Sequence, residues 1–305
     1  MDSFERFPRP FPPPFADAWG DDQFGLWAEF ALSATEYFRT DESSVEEPLS
    51  GPGAPVMQRM RWIEPGSFWM GSPEDEHERL DNEGPRHLVT LTRGFWLADT
   101  ACTQALWQSV MDGDDPSRFK GADRPVEQVS WEDVQRFLRA LEAMLPGCSA
   151  GLPTEAEWEY ACRAGTGTPF SFGTQITPDQ VNYNGNYPDT GGEKGAYRQQ
   201  TVPVKSLPPN AWGLYEMHGN VWEWCADGRR AYTAEPQIDP LGEPGEGDAA
   251  RRAVRGGSWF GDARWVRSAF RFAAPPGNAD DDLGFRLSLR SIEPSKPSRR
   301  PGGPA

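Results

Sequence analysis

Val254-Arg255-Gly256-Gly257-Ser258-Trp259, running on through Arg271 to Gly284-Phe285-Arg286-Leu287, is the stretch from which the fold is read. Gly256 and Gly257 allow a tight backbone path that a Cβ would block. Trp259 offers a large apolar face to a core. Arg267, Arg271 and Arg286 carry planar forks suited to carboxylates or carbonyls. Between these points lie Phe260-Gly261-Asp262, Trp265, and Phe272 through Asp282, with no sustained helix or strand period. A fixed frame around aromatic, small and acidic content has the make-up of a binding surface.

Upstream, three helices are predicted. Thr103 to Met111 places Leu106 and Val110 on one face behind a Thr103 cap. Ser130 to Leu145 has Ser130 and Asp133 at capping-box spacing and an apolar stripe of Val134, Phe137, Leu138, Leu141 and Leu145. Thr154 to Ala164 repeats the cap with Thr154 and Glu157. Glu155 and Glu157 then favour the helix dipole, and Glu159 reads as a surface charge. Strands are predicted over Phe24 to Leu32, Val56 to Trp69 (a pair broken at Glu64-Pro65-Gly66-Ser67), Leu88 to Leu97, Gly213 to Tyr215, Val221 to Trp224, Arg252 to Gly256 and Gly284 to Leu289. Residues 73 to 87 form a charged loop, and Glu235 to Asp248 an acidic one. Residues 1–55 are expected to be an extended Pro/Phe-rich arm, the first strand and an acidic loop. A single domain follows over 56–290, with the binding segment at 254–287 and a disordered tail at 291–305.

The chain has 305 residues, enough for one large core. Its 32 glycines and 30 prolines, with a mean hydropathy of -0.68, make loops the majority. The 13 tryptophans then stand in for aliphatics in a loop-rich core. A formal charge of -16 argues against nucleic acid and anionic membranes as general partners. The first residues lack a basic segment followed by an apolar run, and no stretch of about 18 apolar residues occurs, so a cytoplasmic protein is expected. The four cysteines, Cys102, Cys148, Cys162 and Cys225, fit no zinc-ribbon spacing and read as free buried thiols.

Leu152-Pro153-Thr154-Glu155-Ala156-Glu157-Trp158-Glu159-Tyr160-Ala161, Gly219-Asn220-Val221-Trp222-Glu223-Trp224, and Arg255-Gly256-Gly257-Ser258-Trp259 with Gly284-Phe285-Arg286 together resemble the formylglycine-generating enzyme (sulfatase-modifying factor) family. Pro65 to Ser72 looks like its opening block. The resemblance spans about residues 56 to 290. It implies an α+β, C-type-lectin-like fold, low in regular secondary structure. Active members are copper-dependent oxidases that convert a substrate cysteine to formylglycine, with two cysteines on the metal. Those positions here are Gly261 and Val266, which cannot supply the thiolates Cu(I) favours, so no copper is expected. A second branch, iron-dependent sulfoxide synthases, needs a histidine cluster, and only His77, His87 and His218 exist.

A third branch, the variable proteins of diversity-generating retroelements, is similar in another way. There a Gly-Gly-Ser-Trp frame and a Gly-Phe-Arg end bracket substitutable positions. By this resemblance the ligand-binding residues are Phe260, Gly261, Asp262, Trp265, Phe272, Ala273, Ala274, Asn278, Asp280, Asp281 and Asp282. The implied function is a non-catalytic binding protein with a protein or peptide ligand. The alternative is a divergent oxidase acting on a protein or peptide cysteine. Family members also bind calcium. Carried over, one site would use Glu216, Gly219, Val221 and Glu223. A second would use Asn182 and Tyr183, although Lys194 stands where its acidic partner belongs. Ser258 lacks a His/Asp partner pattern for hydrolysis.

Overall fold

Capping chemistry places the helices where the sequence puts them. The computed structural model describes residues 8–32, 54–189, 191–243 and 250–292. Helices α1 (Gln104–Val110), α2 (Trp131–Met144) and α3 (Glu155–Arg163) begin after Thr103, Ser130 and Thr154, whose hydroxyls accept from Leu106, Asp133 and Glu157 N–H. The stripe of α2 buries Val134, Phe137, Leu138 and Leu141, and Phe137 stacks on Trp107 of α1 at 5.1 Å. Helix α3 departs from an ordinary amphipathic helix: Glu155, Glu159 and Arg163, four apart, form a buried polar stripe. Glu159, expected on the surface, is fully buried.

Thirteen strands form three sheets among the described residues. The largest runs β1 (Ala18–Asp22), β2 (Gly25–Leu32), β3 (Val56–Ile63), β6 (Phe95–Ala98), β13 (Ser288–Ser291), β7 (Cys148–Gly151). The second orders β11 (Phe272–Ala274), β10 (Arg252–Arg255), β8 (Trp222–Gly228) and β12 (Leu283–Phe285). Here β8 pairs antiparallel with β10 and parallel with β12. The third holds β4 (Gly66–Met70), β5 (His87–Leu91) and β9 (Gln237–Ile238).

Several expectations change. Val56 to Trp69 does give two strands, but β3 and β4 join different sheets, so Pro65-Gly66 is a sheet-switching corner. Leu88 to Leu97 splits into β5 and β6 for the same reason. Gly213 to Tyr215 is not a strand; Tyr215 N–H bonds only Asp99 O, at 2.8 Å. The expected acidic loop after Glu235 contains β9. The N-terminal segment is more than an arm: β1 and β2 form a hairpin that extends the main sheet. Phe15 is 3% exposed, edge-on to Phe30 and Trp96. The predicted acidic loop at 40–55 lies largely, and the tail almost wholly, outside the described residues. No described helix is long and apolar enough to cross a membrane.

Candidate binding site

Four buried arginines build the frame. Arg271 clamps Glu155 through Nε and Nη2, each at 2.6 Å. Arg255 spans Glu159 and the Ser268, Ala269 and Phe270 carbonyls. Arg286 grips Glu223 at 3.0–3.2 Å and donates to the Ala98 and Tyr215 carbonyls. Arg267 reaches Glu83 at 2.6 and 2.8 Å and Glu76 at 2.6 Å, which ties the charged 73–87 loop to the binding segment. Burial alone would raise the Glu155 and Glu159 carboxyls, but the arginines more than offset it and hold both below their usual range. Glu155 and Glu159 thus stay ionised, and the four clamps together fix α3, β8 and the 255–286 segment as one unit.

Between these clamps the chain turns sharply. Gly256 and Gly257 have φ of +96° and +70°. A Cβ on Gly257 would meet Val266 Cγ1 at 2.5 Å and the Trp265 carbonyl at 2.7 Å, so only glycine fits. Trp259 is buried, stacked near Tyr197 and edge-on to Phe119, and its Nε1 donates to the Asp281 carbonyl.

The predicted surface residues divide. Phe260 is 55% and Phe272 50% exposed, while Asp262, Trp265 and Asn278 are half-buried and Asp280 is exposed. Ala273 and Ala274 are 3% exposed: they lie in β11, a strand that the irregular sequence did not announce, and pack inward. Gly261 is also buried, its carbonyl accepting from Asn184 N–H at 2.8 Å. These three are therefore corrected from surface to interior. Asp281 pairs with Arg118, and Asp282 accepts from Ser258 Oγ at 2.7 Å. The backbone carbonyls of Asp280, Asp281 and Asp282 accept from Leu283, Trp259 and Trp222. The aspartate run is a pinned turn as well as a rim.

The aromatic residues converge. Trp222 of β8 lies 6.4 Å from Trp265, 5.9 Å from Phe270 and 5.8 Å from Phe272. They wall a cavity of about 480 Å³ whose other lining includes Leu80, Asn82, Arg229, Arg264 and Arg271. Trp222, Phe270, Arg229 and the 80–82 loop were not among the predicted site residues. Phe270, two residues before Phe272, and the Arg229-Arg230 pair just past β8 were the available signals, but only the fold joins them.

None of the cysteines and histidines stands at position 261 or 266. Val266 is buried among Phe170, Ile176, Val181 and Tyr183, and with Gly261 it offers no ligand to copper. The four thiols are buried and pair with no second sulfur: Cys162 sits 3.7 Å from His218 and Ser268. Burial pushes the Cys162 thiol up to about 12. The histidines lie apart. His77 is exposed beside Asp189; His87 is buried at the start of β5 rather than in the loop, packed on Tyr232; His218 is buried against the Val266 carbonyl at 2.7 Å. Ser258 is spent on Asp282.

The two calcium sets differ in which oxygens are free. Both Glu223 oxygens are held by Arg286 and Trp158 Nε1, and a guanidinium there opposes a cation, so the Glu216, Gly219, Val221 and Glu223 set does not fit. Glu216 instead accepts from Lys205 and Leu207 N–H. Around Asn182 and Tyr183 the outcome differs: Asn182 Oδ1 is buried and has no partner.

A largely irregular α+β scaffold with an arginine-clamped Gly-Gly-Ser-Trp turn defines a class. The profile described as "Sulfatase-modifying factor enzyme 1-like domain" matches residues 49–291, and the chain belongs to that family. The chain is 37% identical over 229 residues to the formylglycine-generating enzyme of Streptomyces coelicolor, covering 69% of each. It is 35% identical to that of Bos taurus, with 58% of this chain covered, and spans about half of the bovine enzyme's length (47%). Among solved structures, Treponema denticola variable protein 1 superposes with a TM-score of 0.62 at 27% identity, covering 81% of this chain and 100% of that one.

Proposed function

We propose that this chain is a non-catalytic binding protein of the variable-protein type, taking a protein or peptide ligand on the exposed part of residues 260–282. One observation carries the reading: a partly exposed aromatic cluster, Trp265 and Phe272 against Trp222, opens a cavity on a frame locked by buried arginine–carboxylate pairs. Aromatic anchors in a concave site supply binding area at low entropic cost, and a rigid frame limits what is lost on association. The likeness to the Treponema denticola variable protein supports it. The lack of thiols at Gly261 and Val266 weighs against the oxidase alternative.

Sequencing this gene across a population of the source organism tests the proposal. Variation should concentrate at Phe260, Asp262, Trp265, Phe272, Asn278 and Asp280. Gly256, Gly257, Ala273 and Ala274 should be constant, because they are buried or strained. An invariant stretch, or variation that ignores burial, would remove the diversified reading. We also propose calcium as a structural ion only on the Asn182 side, where the free oxygen lies. Calcium added to chelator-treated protein should then raise Tm, and Asn182→Ala should abolish that increment.

A further inference from the structure

We propose that the cavity beside Phe272 recognises a carboxylate attached to a flat apolar body, as an acidic residue next to a hydrophobic one would present it on a protein ligand. This rests on the binding-surface reading and names the ligand chemistry. The walls are aromatic, and no aspartate or glutamate lines the cavity although the protein carries a formal charge of -16. Three arginines do line it, and they differ in what they have left to give. Arg271 is spent on both oxygens of Glu155. Arg229 is exposed and makes no hydrogen bond or ion pair among the described residues. Arg264, its side chain 37% exposed, makes only a 3.5 Å ion pair with Asp262 and no hydrogen bond among the described residues.

Two guanidinium groups with unused donors, set beside aromatic faces, suit bidentate capture of a carboxylate whose body stacks on the rings. A second hollow of about 330 Å³ shares Asn82, Arg229 and Arg271 with the first and adds Arg230, so three arginines face one carboxylate there, Asp81. Phe272 has a different neighbour on its other side. The smaller hollow there, about 160 Å³, is lined by Asn278, Asp280 and Asp282. A carboxylate is repelled from that side and attracted to the arginines. The site is therefore polarised, and an anionic ligand has one favourable orientation across Phe272.

The probe pair 1-naphthaleneacetate and 1-naphthaleneacetamide, titrated calorimetrically into the full chain at low salt, tests this. The two share an apolar body and differ in charge. The acid should bind at least about tenfold more tightly than the amide. Arg229→Gln with Arg264→Gln should bring the acid-to-amide affinity ratio to about one, a ratio taken within each protein so that any common change in affinity cancels. Phe272→Ala should weaken both probes alike. Equal binding of acid and amide, a preference that survives the double substitution, or no binding of either probe would overturn the proposal. The two readings fail separately: variable surface positions without acid preference would leave a binding surface of other chemistry. Acid preference with an invariant segment would leave the pocket and remove the diversified reading.

Discussion

Glu159 and Asp227 show how far a residue's role here departs from its chemical type. Helix position made Glu159 a surface charge, yet Arg163 Nε donates to it at 2.9 Å and Arg255 closes on its second oxygen. Asp227 is buried without an arginine and accepts from Glu155 N–H at 2.7 Å and Gly242 N–H at 3.1 Å. Burial, with the nearby Glu155 charge, lifts its carboxyl from 3.8 to about 6. A carboxyl raised in the fold favours folding while it is protonated. That contribution is complete below the unfolded value of 3.8 and is lost as pH rises through about 6. Asp227→Asn should therefore gain on the wild type by ~2–3 kcal/mol between about pH 4 and pH 7. Urea unfolding of both proteins across that range measures it, and a constant difference would refute it.

At the level of elements, the N-terminal hairpin and β11 changed the picture most. The Phe11-Pro12-Pro13-Pro14-Phe15 run has a composition without period, so nothing in it says which ring is inserted. Only the sheet shows that Phe15 seats between Phe30 and Trp96 and so secures β1 and β2. Phe15→Ala should cost ~3–5 kcal/mol, read as a lower denaturation midpoint. Phe11→Ala, at a ring 37% exposed, should cost far less. Equal effects would mean that the segment adheres without a specific anchor. Strand β11 pairs with β10 over Arg252 to Val254 and buries Ala273 and Ala274, leaving Phe272 as the exposed member. That pairing is why the three predicted contact positions Phe272, Ala273 and Ala274 reduce to one exposed aromatic.

Across the whole molecule, acidity and thiol burial define what chemistry is open. All four cysteines are buried, and burial pushes Cys148 to about 11 and Cys162 to about 12. A thiol reagent at neutral pH should thus find none of them quickly in the folded protein, and all four after denaturation. One fast-reacting thiol in the native state would favour the oxidase alternative. In a chain this acidic, a concave site lined by three arginines and no carboxylate is a local inversion of charge.

The sequence alone determined the helices, whose capping boxes and apolar stripe are local signals, and the family, whose long blocks sit in order along one chain. It also placed two glycines at the turn and no thiol at positions 261 and 266, while the structure showed that a Cβ at Gly257 would not fit. The tertiary structure decided the rest. Which carboxylate meets which arginine depends on residues such as Glu155 and Arg271, 116 positions apart. Whether Ala273 faces in or out depends on a strand partner. The cavity joins Leu80, Trp222, Arg229 and Phe272 from separate segments. Local periodicity reports on neighbours along the chain, and in a fold dominated by loops most of the energetically important contacts are between residues that are not.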